Sequence, residues 1–432
     1  MSINNDISTL SRAQLARLGR EYMAAAQFNS RVGYAAVRIN HGEEAYKSVA
    51  IDNWMAASPI YTRRMQQAMG FANRGDVESI FKGLQLECGL SHQYFDAHFE
   101  VFTPASGRFW LASCGPLLET EPRGDDAVKV MCHDVEDPTF DATAVATNPR
   151  ARMRPVHRPP RLPETIASAT PGNHCEWNVF IDASAEPLAE PAMAKMLRSS
   201  RLAGLQIDRP SADLEPGGLY DYSGALHQQL HLEQLSHSAL VVVCQELALQ
   251  NNLLCKGLAM VVEENYGREA ANAVAAFQML GSTHVVAQRL KQFIQQDMSL
   301  TGIDAVIAVL QVHPLFQPLN YQAISIEKVT DSRATLTVLD SPAQGDGQHL
   351  GWLNLSDDDF AAGLQSLLKG IDATVACERG ANGQWQIQIG LVNKHENETE
   401  NQELPLPVQI AMGTVLYQTQ FKDRIQLLEI TA

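Results

Sequence analysis

Apolar residues recur at three-to-four spacing along the first seventy positions. QLARLGREYMAAAQFNSRVGYAAVRI and EEAYKSVAIDNWM each carry such a stripe, which predicts two successive amphipathic helices. The turn Asn40-His41-Gly42 between them supplies a glycine stop for the first. The period then changes to two. FDAHFEVFTPASGRFWLASC reads as a β-hairpin with PASG as its turn. GDDAVKVM reads as a short helix, and AVATNPRARMRPV and HCEWNVFID read as later strands. Helices followed by a mostly antiparallel sheet define an α+β unit.

The pattern occurs twice. Glu21 matches Glu246 at an offset of 225. The same offset pairs Val37 with Val262, Gly42 with Gly267, Glu44 with Glu269, Arg64 with Arg289 and Gln67 with Gln292. One inserted residue shifts the offset to 226, where LQL at 84–86 meets LQV at 310–312. The period is domain-sized, so it indicates duplication of one unit rather than a solenoid. The first unit is expected over 1–200 and the second over 223–432. The linker between them, 201–222, contains DRPSADLEPGG. NKHENETENQE, 393–403, is expected as a polar loop before a last strand.

Composition narrows the function. The chain has 432 residues, 45% apolar and 19% charged, which fits a globular protein large enough for two units of about 200 residues. The formal charge of −16 argues against nucleic acid and against an anionic membrane surface, both of which call for a basic patch. No signal peptide and no 18-residue apolar span are evident, so no membrane partner is expected. Seven cysteines without a secretion signal suit a reduced cytoplasm. There is no GxxxxGK[ST] loop and no GxGxxG after a strand, so no nucleotide cofactor is expected. A homo-oligomer is left open.

Candidate chemistry gathers in the first unit. Cys114, Cys132, His133, Asp134, His157, His174 and Cys175 lie there, and the aligned positions of the second unit lack them: Cys114 faces Asp340. Thiolate and imidazole are ligands for zinc or iron, with Cys114, Cys132, His133 and Cys175 as the set. A bound metal would activate water, with Asp134 or His133 moving protons; without metal, Cys114 at a helix start would be the nucleophile, with His133 or His157 as its base. The competing reading buries each cysteine as a small apolar residue. Arg154 and Arg158 in RARMRPVHRPPR could hold a substrate carboxylate or pair with the protein's own acidic surface. Glu136 and Asp137 before Pro138 read as a turn and helix cap, and Asp96 with His98 as a satisfied polar pair.

The order SCGPL, MCHD, RPVHRPPR and HCEWNVFID resembles the L-2-amino-thiazoline-4-carboxylate hydrolase-like domain. It is also similar to four-vinyl-reductase sensor domains, which bind small molecules, sometimes with a structural zinc. The likeness covers residues 10–183 and, degraded, 235–392. It implies Cys114, Cys132, Asp134 and Cys175 as the site, although Gly115 here separates the cysteine from the proline that directly follows it in the family. The resulting expectation is a hydrolase acting on a small polar sulfur- or nitrogen-containing substrate. A small-molecule-binding or sensor module and a scaffold or assembly protein are the alternatives. No output domain accompanies the units, which favours the enzyme over the sensor.

Overall fold

The computed structural model describes residues 6–160, 172–346, 351–390 and 403–414. The polar loop and last strand expected near the C-terminus lie almost wholly outside these. Two long helices open the chain, α1 (Arg12–His41) and α2 (Glu43–Ala68). They are followed by α3 (Val77–Gln85), the hairpin β1 (Phe95–Thr103) and β2 (Ser106–Cys114), and then α4 (Gly115–Thr120) and α5 (Asp125–Lys129). A π-helical turn, Val130–Val135, leads into α6 (Glu136–Val145). Strands β3 (Ala151–His157) and β4 (Cys175–Ile181) and helix α7 (Ala192–Arg198) complete the first unit.

The second unit repeats the order. It comprises α8 (His237–Tyr266), α9 (Arg268–Met298), α10 (Gly302–Val312), β5 (Ile324–Thr330), β6 (Arg333–Val338), α11 (Asp357–Ile371), β7 (Ala376–Arg379), β8 (Trp385–Gln388) and α12 (Leu406–Met412). The sheets are antiparallel, ordered β1-β2-β4-β3 and β5-β6-β8-β7. The fold is α+β in two duplicated units, each with its helices before its sheet.

Local signals are duplicated with the fold. Ser11 caps α1 by accepting from the Gln14 N–H, and Ser236, 225 positions later, caps α8 by accepting from the Ala239 N–H. Gly42 and Gly267 end the first helix of each unit at φ of 90° and 85°, a region that a β-carbon disfavours.

The units are not two separate globules. Helices α1, α2, α8 and α9 pack together, α1 against both α8 and α9, and α2 against α8. One core runs through both halves and includes Tyr22, Phe28, Leu247, Val262 and Phe293. Equivalent positions face each other: a β-carbon on Gly33 would lie 2.3 Å from Leu258, and one on Gly19 would lie 3.5 Å from the Cys244 sulfur. Pairing of equals is what a two-fold axis running between α1 and α8 produces. Off that axis, Arg289 donates to Glu21 at 2.7 and 2.9 Å, and Arg64 donates to Glu246 at 3.0 and 2.7 Å. These are the residues matched at offset 225, now exchanged between units.

Helix α8 is long and apolar enough to cross a membrane by length and composition. However, 83% of its most apolar stretch is buried inside the fold, which accounts for its composition. The segment after α7 is fixed rather than loose. The Arg201 and Leu202 N–H groups donate to Asp346 at 2.5 and 3.1 Å, and the buried Tyr222 hydroxyl donates to Gln85 at 2.6 Å.

Candidate functional site

A cavity of about 290 Å³ lies in the first unit, between the helix pair α1–α2 and the wall formed by β1, β2, α4, the π turn and α6. Its volume suits a compact organic molecule. Tyr34, Tyr46, Trp54, Tyr61, Tyr94 and Phe140 supply aromatic walls. Helix α1 presents Tyr34 and Arg38 one turn apart, and α2 presents Tyr46, Ala50, Trp54 and Tyr61 at helical spacing, so one face of each helix builds the floor.

Besides Glu119, which pairs with Arg31, two carboxyl groups face this space. Glu87 is 3% exposed; the Thr62 hydroxyl donates to its Oε2 at 2.9 Å, and burial pushes its carboxyl up to about 8. Glu136, first residue of α6, is also pushed up to about 8, chiefly by burial. Arg158 pulls it down and Asp137 pushes it further up. Among the described residues no group donates a hydrogen bond to Glu136, and none but Thr62 donates to the Glu87 side chain.

The guanidinium groups around the cavity are already matched. Arg31 pairs with Glu119 and donates to the Ile410 carbonyl at 2.9 Å. Arg123 and Arg38 share Glu43, at 2.9 and 3.8 Å.

None of the residues singled out from the sequence as catalytic, metal-binding or substrate-binding lies on this wall. Cys114, Cys132 and Cys175 do come together, but inside the apolar cluster of Phe109, Met153 and Trp177. Burial pushes all three thiols up and Glu136 adds to the effect, as do the neighbouring thiols for Cys114 and Cys132. The expected activation of Cys114 by a helix start is therefore reversed: α4 has only six residues, and desolvation outweighs its dipole. Cys132 sits within the π turn.

His133 points to the Pro159 carbonyl at 3.1 Å, and burial with Arg158 lowers its pKa. Asp134 lies 3.8 Å from Lys47. His157 is buried on β3 with Nε2 3.9 Å from Glu176, and His174 Nδ1 accepts from the Cys114 N–H at 3.0 Å. Among the described residues no three His, Cys, Asp or Glu side chains are grouped to hold a metal ion, so the set Cys114, Cys132, His133 and Cys175 does not fit zinc or iron.

Arg154 is committed to Asp141 at 2.9 Å. Arg158 is committed to Asp137 and lies 5.5 Å from the Trp177 ring centre. Both thus pair with the protein's own acidic groups. Asp96 and His98 form the expected polar pair at 3.1 Å.

The stretch VMCHDVED still reaches the cavity, through other members. The wider π turn places Met131, Val135 and Glu136 on the wall, while His133 and Asp134 turn to other partners.

The second unit shows what is particular to the first. Tyr94 hydrogen-bonds Glu119 beside Arg31; Tyr321 donates to Asp346 at 2.8 Å beside Lys256, at offsets of 225 to 227. The corner is preserved, but the space is not. The cavity beside Lys256, Tyr321 and Trp352 is about 20 Å³. At offset 225, Tyr34, Tyr46, Trp54 and Tyr61 become Ala259, Ala271, Met279 and Val286, and the Arg38–Glu43 pair becomes Glu263–Arg268 with its polarity exchanged. Those differences between aligned copies were the signal in the sequence for the cavity wall. No family model, curated protein or solved structure matches the chain.

Proposed function

We propose that the first unit binds a small molecule and that the second is its structural counterpart. The observation that carries this reading is the 290 Å³ aromatic cavity with two inward carboxyl groups, set against about 20 Å³ at the equivalent corner of the second unit. The second unit keeps the same corner without the space, so the fold itself does not require it. Filling it supplies the test. Ala35 lies on the wall and is 6% exposed, so Ala35→Phe projects a ring into the space. Saturation-transfer NMR with an indole fragment series is expected to show binding to the native chain and none to Ala35→Phe. Equal signals from both would place binding elsewhere and remove the reading.

A second reading keeps hydrolysis of a C–N or C–S bond, in line with the thiazoline-hydrolase resemblance. It is favoured by Glu87 and Glu136, carboxyl groups on the cavity wall that stay protonated near neutral pH, as a general acid requires. In that case these two, and not Cys114, His133, Asp134 or His157, would donate the proton to the leaving nitrogen or sulfur.

A further inference from the structure

The balance of unmet hydrogen-bonding groups around the cavity has a sign. Every arginine on the wall has a carboxylate partner, Arg31 with Glu119 and Arg38 and Arg123 with Glu43. The carboxyl groups at the inner wall do not have donors to match. Glu136 receives none among the described residues, and Glu87 only the Thr62 hydroxyl on one oxygen. Carboxyl groups on a cavity wall that receive few hydrogen bonds from the protein favour a ligand able to donate charge-assisted hydrogen bonds to them over an anion. The aromatic walls act in the same direction, since ring faces attract cations. At the equivalent positions of the second unit's two helices stand alanine, methionine and valine.

We propose that the cavity takes an organic cation, an amine or amidine on a flat apolar body, with its N–H groups on Glu87 and Glu136 and its body against Tyr34, Trp54 and Tyr61. The assignment rests on the binding reading above and goes beyond it by naming the ligand class. Docking such a cation ionises carboxyl groups that are neutral in the empty cavity, so binding at pH 7 releases protons to the buffer. Arg38 and Arg123, which share the single carboxylate of Glu43, also line the cavity and would oppose a ligand carrying a second positive charge.

Three indole probes of similar size carry different charges: tryptamine, indole-3-acetamide and indole-3-acetate. Calorimetric titration of the full chain is expected to give tryptamine at least tenfold tighter binding than the amide, and the acetate weaker still. Titrations in phosphate and Tris should differ in heat, reporting the released protons. Glu87→Gln and Glu136→Gln should each cut the preference for tryptamine over the amide about tenfold. If either variant fails to fold, the buffer dependence in the native chain decides alone. Binding without charge preference, or tighter binding of the acetate, overturns the ligand class and leaves the cavity a binding site. Binding of none of the three removes the cavity reading as well.

Discussion

Glu87 shows how far environment can move one side chain. The residue is ordinary in sequence, yet its carboxyl is held up to about 8 because the folded chain surrounds it with Tyr61, Thr62 and the ends of two helices. The sign of the consequence for stability follows from linkage. A carboxyl whose folded value exceeds its unfolded one binds more protons when folded. Its stabilisation is complete below the unfolded value, near 4.5, and is lost as pH rises through 8. Urea midpoints of the native chain should therefore fall between pH 5 and 9. Glu87→Gln, which cannot ionise, should fall less, ending on the order of 2–4 kcal/mol more stable at pH 9. Parallel pH profiles for the two proteins would show that Glu87 is not buried in the neutral form. The cysteines carry the complementary lesson. Cys114, Cys132 and Cys175 could be picked out by type, but a thiol's reactivity depends on solvent and neighbouring charge, and neither is written in a one-letter code.

At the scale of elements, most of the architecture was legible because it rests on period. The stripes of α1 and α2 follow 3.6, the β1–β2 hairpin follows 2, and the glycine stop at Gly42 follows local chemistry. The π turn at Val130–Val135 was not legible: it differs from an α-helix by one residue per turn over six positions, too little to alter a pattern. That one residue decides that Glu136, read as a cap, reaches the cavity while His133 and Asp134 do not. Gly33 is a second case where context overrides propensity. In an isolated helix Gly→Ala would stabilise by about 1 kcal/mol. Here the added carbon would lie 2.3 Å from the Leu258 Cδ2 and 2.7 Å from the Gln278 Nε2, so both side-chain ends must move and the hydrogen bond from Gln278 to the Asn29 carbonyl is disturbed. Gly33→Ala should therefore lose about 1–3 kcal/mol net. A raised melting temperature would mean that the contact relaxes freely.

Over the whole molecule, the repeat was visible as matched letters, but its spatial use was not. Matching Glu21 to Glu246 and Arg64 to Arg289 says that two copies exist; only folding shows that each copy's acid meets the other's base. The cavity was likewise out of reach, because an empty volume results from how helices and sheet meet, although the loss of Tyr34, Trp54 and Tyr61 in the second copy marked its wall. The crossed pairs are nearly sealed from water and doubly hydrogen-bonded, so losing one partner strands a buried charge. Glu246→Ala is expected to cost on the order of 3–5 kcal/mol by urea denaturation. With Arg64→Ala added, the loss should fall short of the sum of the single changes by 1 kcal/mol or more. Strict additivity would mean that the pair is not coupled.

The crossing also sets an order of events during synthesis. Arg289, the partner of Glu21, lies 268 positions downstream, and the helix that covers much of α1 does not begin until His237. A nascent chain that has emerged only as far as residue 222 therefore presents a long apolar seam with nothing yet made to cover it. The first half waits, unfinished, for the ribosome to deliver the second.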